Sequence, residues 1–436
     1  MNKILLLATS VALMCFASLT HAQAPVLGES ASFALFSSDG AVSNIGAPQL
    51  TLITGNVGTQ NGPNNNFGNV DGVMHNADGT TAAATTDLTL ANNQLAAAIP
   101  DYAISPLLGG GQILVPGTYA VGGAGEAASL NGILTLDGGG DPNAEFIFKI
   151  GGAFDTSSGA QVLLTNGTLA CNVFWRTGAV GTGGAVTLAT NTEMKGTIVA
   201  NGAIFMGVGT SLEGRALAVN GAVTVEDVTV TTPLGCGTPE LTGPPAPQLN
   251  SVACYAVFTG NEDVMNAGIS TIVGDVGTNN GATTGFQAEN VDGTIHTNPD
   301  TSTQQASDDL SVVHTYLSTL PVDIELLYPA LFGHDLVLTP HTYLMNAATI
   351  LTGTVYLNAQ DNVDAVFVIK IVGALTTSVS AAVVLQNGAQ AKNVFWLIEG
   401  ATTLNNAVDF KGSLLNTGGI ILNTGLTEEG RVLATT

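Results

Sequence analysis

Few residues in this 436-residue chain are equipped for chemistry, and the first to consider are His75 and His296. They end two matching stretches, NVDGVMH (69–75) and NVDGTIH (290–296). A histidine kept in one frame could serve as a base or a metal ligand. No HExxH, GxSxG or Cys–His constellation accompanies either one, so both read as satisfied turn or cap histidines. The two VDG turns bring single carboxylates, short of the oxygen set a calcium loop supplies. Asn166 opens NGT, a glycosylation acceptor only in a eukaryotic host. The expectation is no catalytic residue, no metal and no cofactor.

Cysteine offers little more. Cys15 lies in the opening run MNKILLLATSVALMCFASLTHAQA, with Lys3 as a charged start, an apolar stretch and then small residues. That pattern reads as a secretory signal peptide over residues 1–22, cut near Ala22. No later stretch offers the ~18 consecutive apolar residues of a spanning helix, so an exported chain with no membrane span is expected. Cys171, Cys236 and Cys254 remain, without metal-ligand spacing. Cys171, between Ala170 and Asn172, reads as a small buried apolar residue. Cys236 and Cys254 flank a Pro-rich segment and could staple it.

The charge balance excludes whole classes of partner. There are 33 acids against 9 Lys plus Arg, a net charge of −24, and only 10% of residues are charged. A phosphate backbone needs clustered basic residues, so neither nucleic acid nor an anionic membrane surface is a plausible partner. At 45% apolar residues the chain is not disordered. Its 54 glycines and abundant Thr, Asn, Ala and Val suggest short strands stacked through frequent turns.

The few distinctive residues occur twice. CNVFWR (171–176) and KNVFWL (392–397) hold both tryptophans, Trp175 and Trp396, in one frame. TGNVGTQNG (54–62) returns as VGDVGTNNG (273–281), AEFIFKIGGAF (144–154) as DAVFVIKIVGAL (364–375), MKGTIV as FKGSLL, and EGRALA as EGRVLA. Two tandem copies are expected, 28–232 and 250–436, joined by a semi-rigid Pro-rich linker at 233–249. Lys149 pairs with Lys370, Lys195 with Lys411 and Arg215 with Arg431, leaving Arg176 and Lys392 without repeat partners. Cations kept at equivalent frames inside apolar strands read as structural, with Glu213 and Glu429 available to pair the arginines. The first copy runs on to Thr232 while the second stops soon after Arg431, so a further coil beyond Thr436 is expected.

One element in each copy has helical spacing. Ala84, Leu88, Ala91, Leu95 and Ala98 form one stripe, and Ala306, Leu310, Val313, Leu317 and Leu320 form its counterpart. Pro100 and Pro321 end them. The narrow stripe requires a flat surface to lie on. The runs that follow, such as GILTLDG, EFIFKIGGAF, AQVLLTNG and AVTLAT, are four to six residues long between Gly or Asn turns. That spacing suits a parallel β-helix better than a sandwich.

Both copies resemble the microbial ice-binding domain of secreted bacterial, fungal and algal antifreeze proteins. The matching text includes ITGNVGT, the VDG…H stretch before an Ala-rich helix, LVPGTYAV (114–121), LTLDGGGDPNAEFIFKI (134–150), NGTLACNVFW (166–175), KGTIVANGAI and GRALAVNGAVTV. The second copy departs at TPHTYLM, which replaces the Pro-Gly-Thr-Tyr turn, and at Lys392, which replaces the cysteine. The resemblance implies a mainly β protein: two right-handed, irregularly ordered β-solenoids of triangular section, each with one long helix alongside. It further implies a non-enzymatic, extracellular protein that adsorbs to an ice crystal through one flat face. The sequence leaves the oligomeric state open, with a monomer favoured. The rival expectation is an adhesion or surface module using the same solenoid as a spacer.

Aligning the runs after each helix proposes the face. FDTSS lies over LTTSV, VTLATNT over TTLNNAV, and IFMGVGT over IILNTGL. The outward candidates are Thr156, Ser158, Thr187, Thr190, Thr192 and Thr210 in the first copy. In the second they are Thr377, Thr403, Asn405, Asn423 and Thr424. Threonine suits a rigid lattice because its branched χ1 leaves little rotamer freedom to lose.

Overall fold

The computed structural model describes residues 24–178, 183–297 and 299–436. The expected signal peptide at 1–22 lies outside the described residues. The described chain is mainly β, with two α-helices, α1 (Gly79–Ala97) and α2 (Thr301–Thr319), and every strand pair that joins its sheets is parallel.

Each copy is a triangular solenoid. In the first, strands 74–76, 56–59, 33–37, 211–218, 193–200, 173–177, 146–150, 117–121 and 102–104 stack in that order as the face under α1. The chain's opening strand, Phe33–Ser37, therefore lies between the copy's last long strand and residues 56–59. The solenoid is discontinuous: it starts after the helix, and its final coils come from residues before the helix. A second, flat face stacks three-residue strands from 107–109 through 154–156, 186–188 and 204–206 to 42–44. The third face runs from Gln112–Leu114 through Gln161–Thr165 to Leu52–Thr54. The second copy repeats the plan, with 354–358, 367–371, 394–398 and 409–416 as counterparts. Trp175 and Trp396 occupy equivalent core sites, each indole donating to a backbone carbonyl one coil on, Lys195 O at 2.8 Å and Lys411 O at 2.9 Å.

The helices sit where their stripes require. Ala84, Leu88 and Leu95 pack on Phe33, Phe36, Ile147, Phe174 and Leu217. Ala306, Leu310, Val313 and Leu317 pack on Phe258, Val368, Phe395 and Leu415. Asp78 and Asp300 cap the N-termini in capping boxes with Thr81 and Thr303. His75 Nδ1 lies 2.7 Å from Asp78, and His296 Nδ1 lies 3.0 Å from Asp300. Both histidines thus buttress helix caps.

The repeated cations have separate tasks. Lys149 Nζ donates to the Ala96 and Ala98 carbonyls, and Lys370 Nζ to those of Ser318 and Leu320, so each lysine closes the C-terminus of its helix. Arg215 Nε donates to Ala31 O at 2.7 Å and Arg431 Nη2 to Ala253 O at 2.9 Å, tying down each copy's first turn. Glu213 and Glu429 pair with Lys195 and Lys411 instead of the arginines expected as partners. Each Glu and Lys share one outward column on adjacent strands, whereas Arg215 lies beyond Gly214, where the strand rounds the corner onto the helix face. Arg176, which has no counterpart, donates to Asn92 Oδ1 at 2.9 Å beneath α1.

Two expectations need correction. The disulfide joins Cys171 to Cys236, and Cys254 is free and exposed. Cys171 is thus a crosslink, not a filler of the core, because residues 235–236 fold back over the 3₁₀ turn at Ala170–Asn172. The linker is also less free than its prolines suggest. Val366 N–H donates to Thr242 O at 2.9 Å, Asn362 Nδ2 to Leu241 O at 3.1 Å, and Tyr316 Oη to Pro245 O at 2.7 Å. The segment is held at the first copy by sulfur and at the second by hydrogen bonds.

The copies also meet directly. Asn69 Nδ2 donates to Tyr328 O and Tyr328 N–H donates back to Asn69 Oδ1, both at 2.9 Å. Asp71 enters the second copy and meets Thr339 and Tyr343.

Candidate binding face

The three faces differ in chemistry before any ligand is considered. One is covered by the helix. The third carries the ion pairs Lys195–Glu213 in the first copy and Lys411–Asp409 and Lys411–Glu429 in the second. The flat face is the remaining open surface. Its strands are three or four residues long, buried on both sides of one outward residue: Val186–Thr187–Leu188 and Thr402–Thr403–Leu404 are typical. In-register pairing stacks those outward residues into a ladder, Ser43–Thr224–Phe205–Thr187–Asp155–Ser129 in the first copy. In the second the ladder is Ile350–Thr376–Thr403–Ile421.

A second column lies two residues earlier. Ala41, Ala222, Ala203, Ala185 and Ala153 each offer a carbonyl to the next coil, as in Ile204 N–H to Ala222 O and Val186 N–H to Ala203 O. Ala374, Ala401 and Gly419 do the same in the second copy. These alanines are exposed or half-exposed. A methyl column beside the central ladder keeps the surface level. A reading by threonines alone passes over it; the legible trace is the recurring Ala two residues ahead of each ladder position, in AFDT, AVTL, AIFM, AVTV, ALTT and ATTL.

Thr187 and Thr403 stand in the central ladder as expected, exposed and half-exposed. Asn405 and Asn423 form the column two residues later, with Asn423 Nδ2 donating to Asn405 Oδ1 at 3.3 Å. Ser158, Thr190 and Thr424 lie on the turn that follows, at the edge of the face; Ser158 and Thr190 hydroxyls are 2.8 Å apart. The outward reading of Thr156, Thr192, Thr210 and Thr377 is wrong, because all four are buried. Thr156 and Thr377 hold the third position of a three-residue strand, which points inward again. Thr156 Oγ1 accepts Ala189 N–H and Thr377 Oγ1 accepts Asn405 N–H, both at 2.8 Å. These hydroxyls take the place of a backbone acceptor and stitch one coil to the next. Thr192 donates to Ala189 O at 2.7 Å and Thr210 to the same carbonyl at 3.1 Å.

The two copies differ in electrostatics. In the second, the rows Ala348–Ile350–Thr352, Ala374–Thr376–Ser378, Ala401–Thr403–Asn405 and Gly419–Ile421–Asn423 hold no ionisable side chain. Asn405 is fixed by donating Nδ2 to Thr377 O at 2.6 Å. In the first, Asp155 is exposed in the central ladder, Glu226 stands two residues after Thr224, and the large ring of Phe205 interrupts the small side chains. Among the described residues, no group of three or more His, Cys, Asp or Glu is placed to hold a metal, and no helix is long and apolar enough to cross a membrane.

The sequence matches the model of the ice-binding-like family over residues 36–231 and again over 258–436. A crystal structure of an ice-binding protein from an Antarctic bacterium of the Flavobacteriaceae superposes with a TM-score of 0.91, at 59% identity, covering 95% of this chain and 96% of that one. An ice-binding protein of Nostoc sp. (strain HG1) is 41% identical over 158 residues, which is 36% of this chain and 55% of that protein. One from Flavobacterium frigoris (strain PS1) is 31% identical over 208 residues, 43% of this chain and 71% of that protein. The chain spans about half of the Nostoc protein and 16% of ice-binding protein 1 of Shewanella frigidimarina (strain NCIMB 400). With both copies matched across most of its length, the chain belongs to the ice-binding-like family.

Proposed function

We propose that the protein adsorbs to ice through its flat face and that the second solenoid makes the principal contact. The observation that carries this reading is the in-register surface of Ala, Ile, Thr and Asn over four uncharged coils. Coils ~4.8 Å apart and outward residues ~6.6 Å apart along a strand give a fixed two-dimensional grid. Small side chains with stiff or hydrogen-bonded conformations lose little freedom when water between them becomes ordered. A carboxylate would instead keep its own hydration, which makes the face with Asp155 and Glu226 the poorer template. No catalytic step belongs to this reading. Export fits it too: the N-terminal run has signal-peptide character, and Cys171–Cys236 belongs in an oxidising compartment.

The test is thermal hysteresis and inhibition of ice recrystallisation by the purified chain without residues 1–22. Activity that falls sharply on Thr403→Tyr supports the face. An inactive but folded chain favours the rival reading, a non-catalytic adhesion module, to which the half-exposed Phe205 ring gives some support.

A further inference from the structure

We propose that Asp71 carries a proton in the folded protein, and that this proton makes the junction between the two solenoids. Three oxygens meet here, and their protons can be counted. Tyr343 Oη lies 2.5 Å from Asp71 Oδ1 and 2.6 Å from Thr339 O, and it also accepts Thr339 N–H at 3.0 Å. A phenol has one proton, so it can satisfy one of those two oxygens. The first copy shows which one. Its counterpart, Tyr119, donates to Val115 O at 2.5 Å, four residues back as Thr339 is from Tyr343, while the nearby Asp101 carboxylate accepts from Thr118 N–H instead. The tyrosine proton thus belongs to the turn. The remaining 2.5 Å contact joins two oxygens, and only a proton on Asp71 makes it a hydrogen bond, with the carboxyl donating to Tyr343 Oη. Asp71 Oδ2 then accepts from Thr339 Oγ1 at 2.9 Å.

The surroundings agree. Asp71 and Tyr343 are both buried, whereas Asp292, the counterpart of Asp71 in the second copy, is exposed. Burial pushes the Asp71 carboxyl up, against the opposing hydrogen bonds of Tyr343 and Thr339 and the charge of His341. The ionisable groups facing the carboxyl are Tyr343 and His341, the latter with Nδ1 3.1 Å from Thr339 Oγ1. A carboxyl raised by folding contributes stability that is complete below its unfolded value, about 3.9. That stability is lost as pH rises through the folded value. The junction therefore loosens toward alkaline pH, and the two flat faces lose their fixed relation.

Asp71→Asn keeps the shape and supplies an N–H in place of the carboxyl proton. The experiment compares melting of the whole chain with and without Asp71→Asn across pH 4–9, both in a His341→Gln background. The expected result is equal melting temperature at the acid end and an increasing advantage for the Asn protein above it. The junction constant of the Asp protein should change by about tenfold per pH unit within its titration window. A parent that instead gains on the variant as pH rises, or curves that run parallel, would overturn the proposal. A second measurement does not depend on the variant. In the intact parent labelled at aspartate Cγ, one resonance should remain at the protonated-carboxyl position at pH 7, and its absence rejects the proposal.

Discussion

Thr403→Tyr separates the flat face from the rest of the molecule. Thr403 is the outward residue of Thr402–Leu404, paired with Thr376 on one side and Ile421 on the other. The four rows and three columns of the second copy define a patch of roughly 14 by 13 Å between outermost positions, from ~4.8 Å between strands and ~6.6 Å along them. A phenol ring stands farther from the sheet than the ~4.8 Å between strands, and ice does not deform around it. The rows of Thr376, Thr403 and Ile421 all lose contact, leaving the Ile350 row. Three of four rows gone should leave about a quarter or less of the second solenoid's hysteresis.

Stability should hardly respond. The side chain points away from the core, and surface substitutions of this kind stay within about 0.5 kcal/mol, or roughly 2 °C for a unit of this size. Thr377→Val should show the opposite signature. It leaves Asn405 N–H without its 2.8 Å acceptor in the interior, at a cost of about 1–3 kcal/mol. Hysteresis near the freezing point, where the fold persists, should fall far less for Thr377→Val than for Thr403→Tyr. Hysteresis and recrystallisation assays beside calorimetry decide the matter. A folded Thr403→Tyr protein with full activity would place the ice contact on another surface.

Three other outcomes follow from the differences between the copies. Replacing both Phe205 and Asp155 with Thr should raise hysteresis, because it removes the ring and the charge from the first copy's central ladder; unchanged activity would mean those coils do not touch ice. Cys171→Ser opens a crosslink spanning 65 residues, worth up to about 4 kcal/mol by loop entropy; calorimetry should show the first solenoid melting earlier and the second, which has Lys392 there, little changed. Glu428 occupies the inward position that Leu212 holds in the first copy, its oxygens lack partners among the described residues, and burial pushes its carboxyl well above the usual range. Its contribution is complete below the ordinary carboxylate value and lost as pH rises, so Glu428→Leu should stabilise by about 1–3 kcal/mol at pH 7, more at pH 8 than at pH 5, and a gain that shrinks with pH would contradict this.

The fold was legible where a pattern had only one physical solution. A stripe at 84, 88, 91 and 95 needs a flat support, and short runs between turns supply one. The cysteine pairing was not legible, because Cys171 and Cys236 meet through a chain reversal that leaves no periodic trace. The face was half legible. Alternation in a three-residue strand allows one outward residue, so a register error of one turned Thr156 and Thr377 from core stitches into supposed contacts.

That error also explains how one residue type can fill two unlike roles here. Threonine outward offers a methyl and a hydroxyl on a fixed χ1. Threonine inward offers its Oγ to an N–H that the coil's bend has left without a carbonyl. Both roles rest on the same stiffness, so a count of threonines cannot tell them apart. The neighbours can: an outward Thr187 or Thr403 lies between two buried apolar or hydrogen-bonded residues and two positions after a small one, Ala185 or Ala401. An inward Thr156 or Thr377 closes its strand ahead of the turn. In a solenoid of such short strands, the small residue ahead of each run marks the outward register more reliably than the threonines themselves.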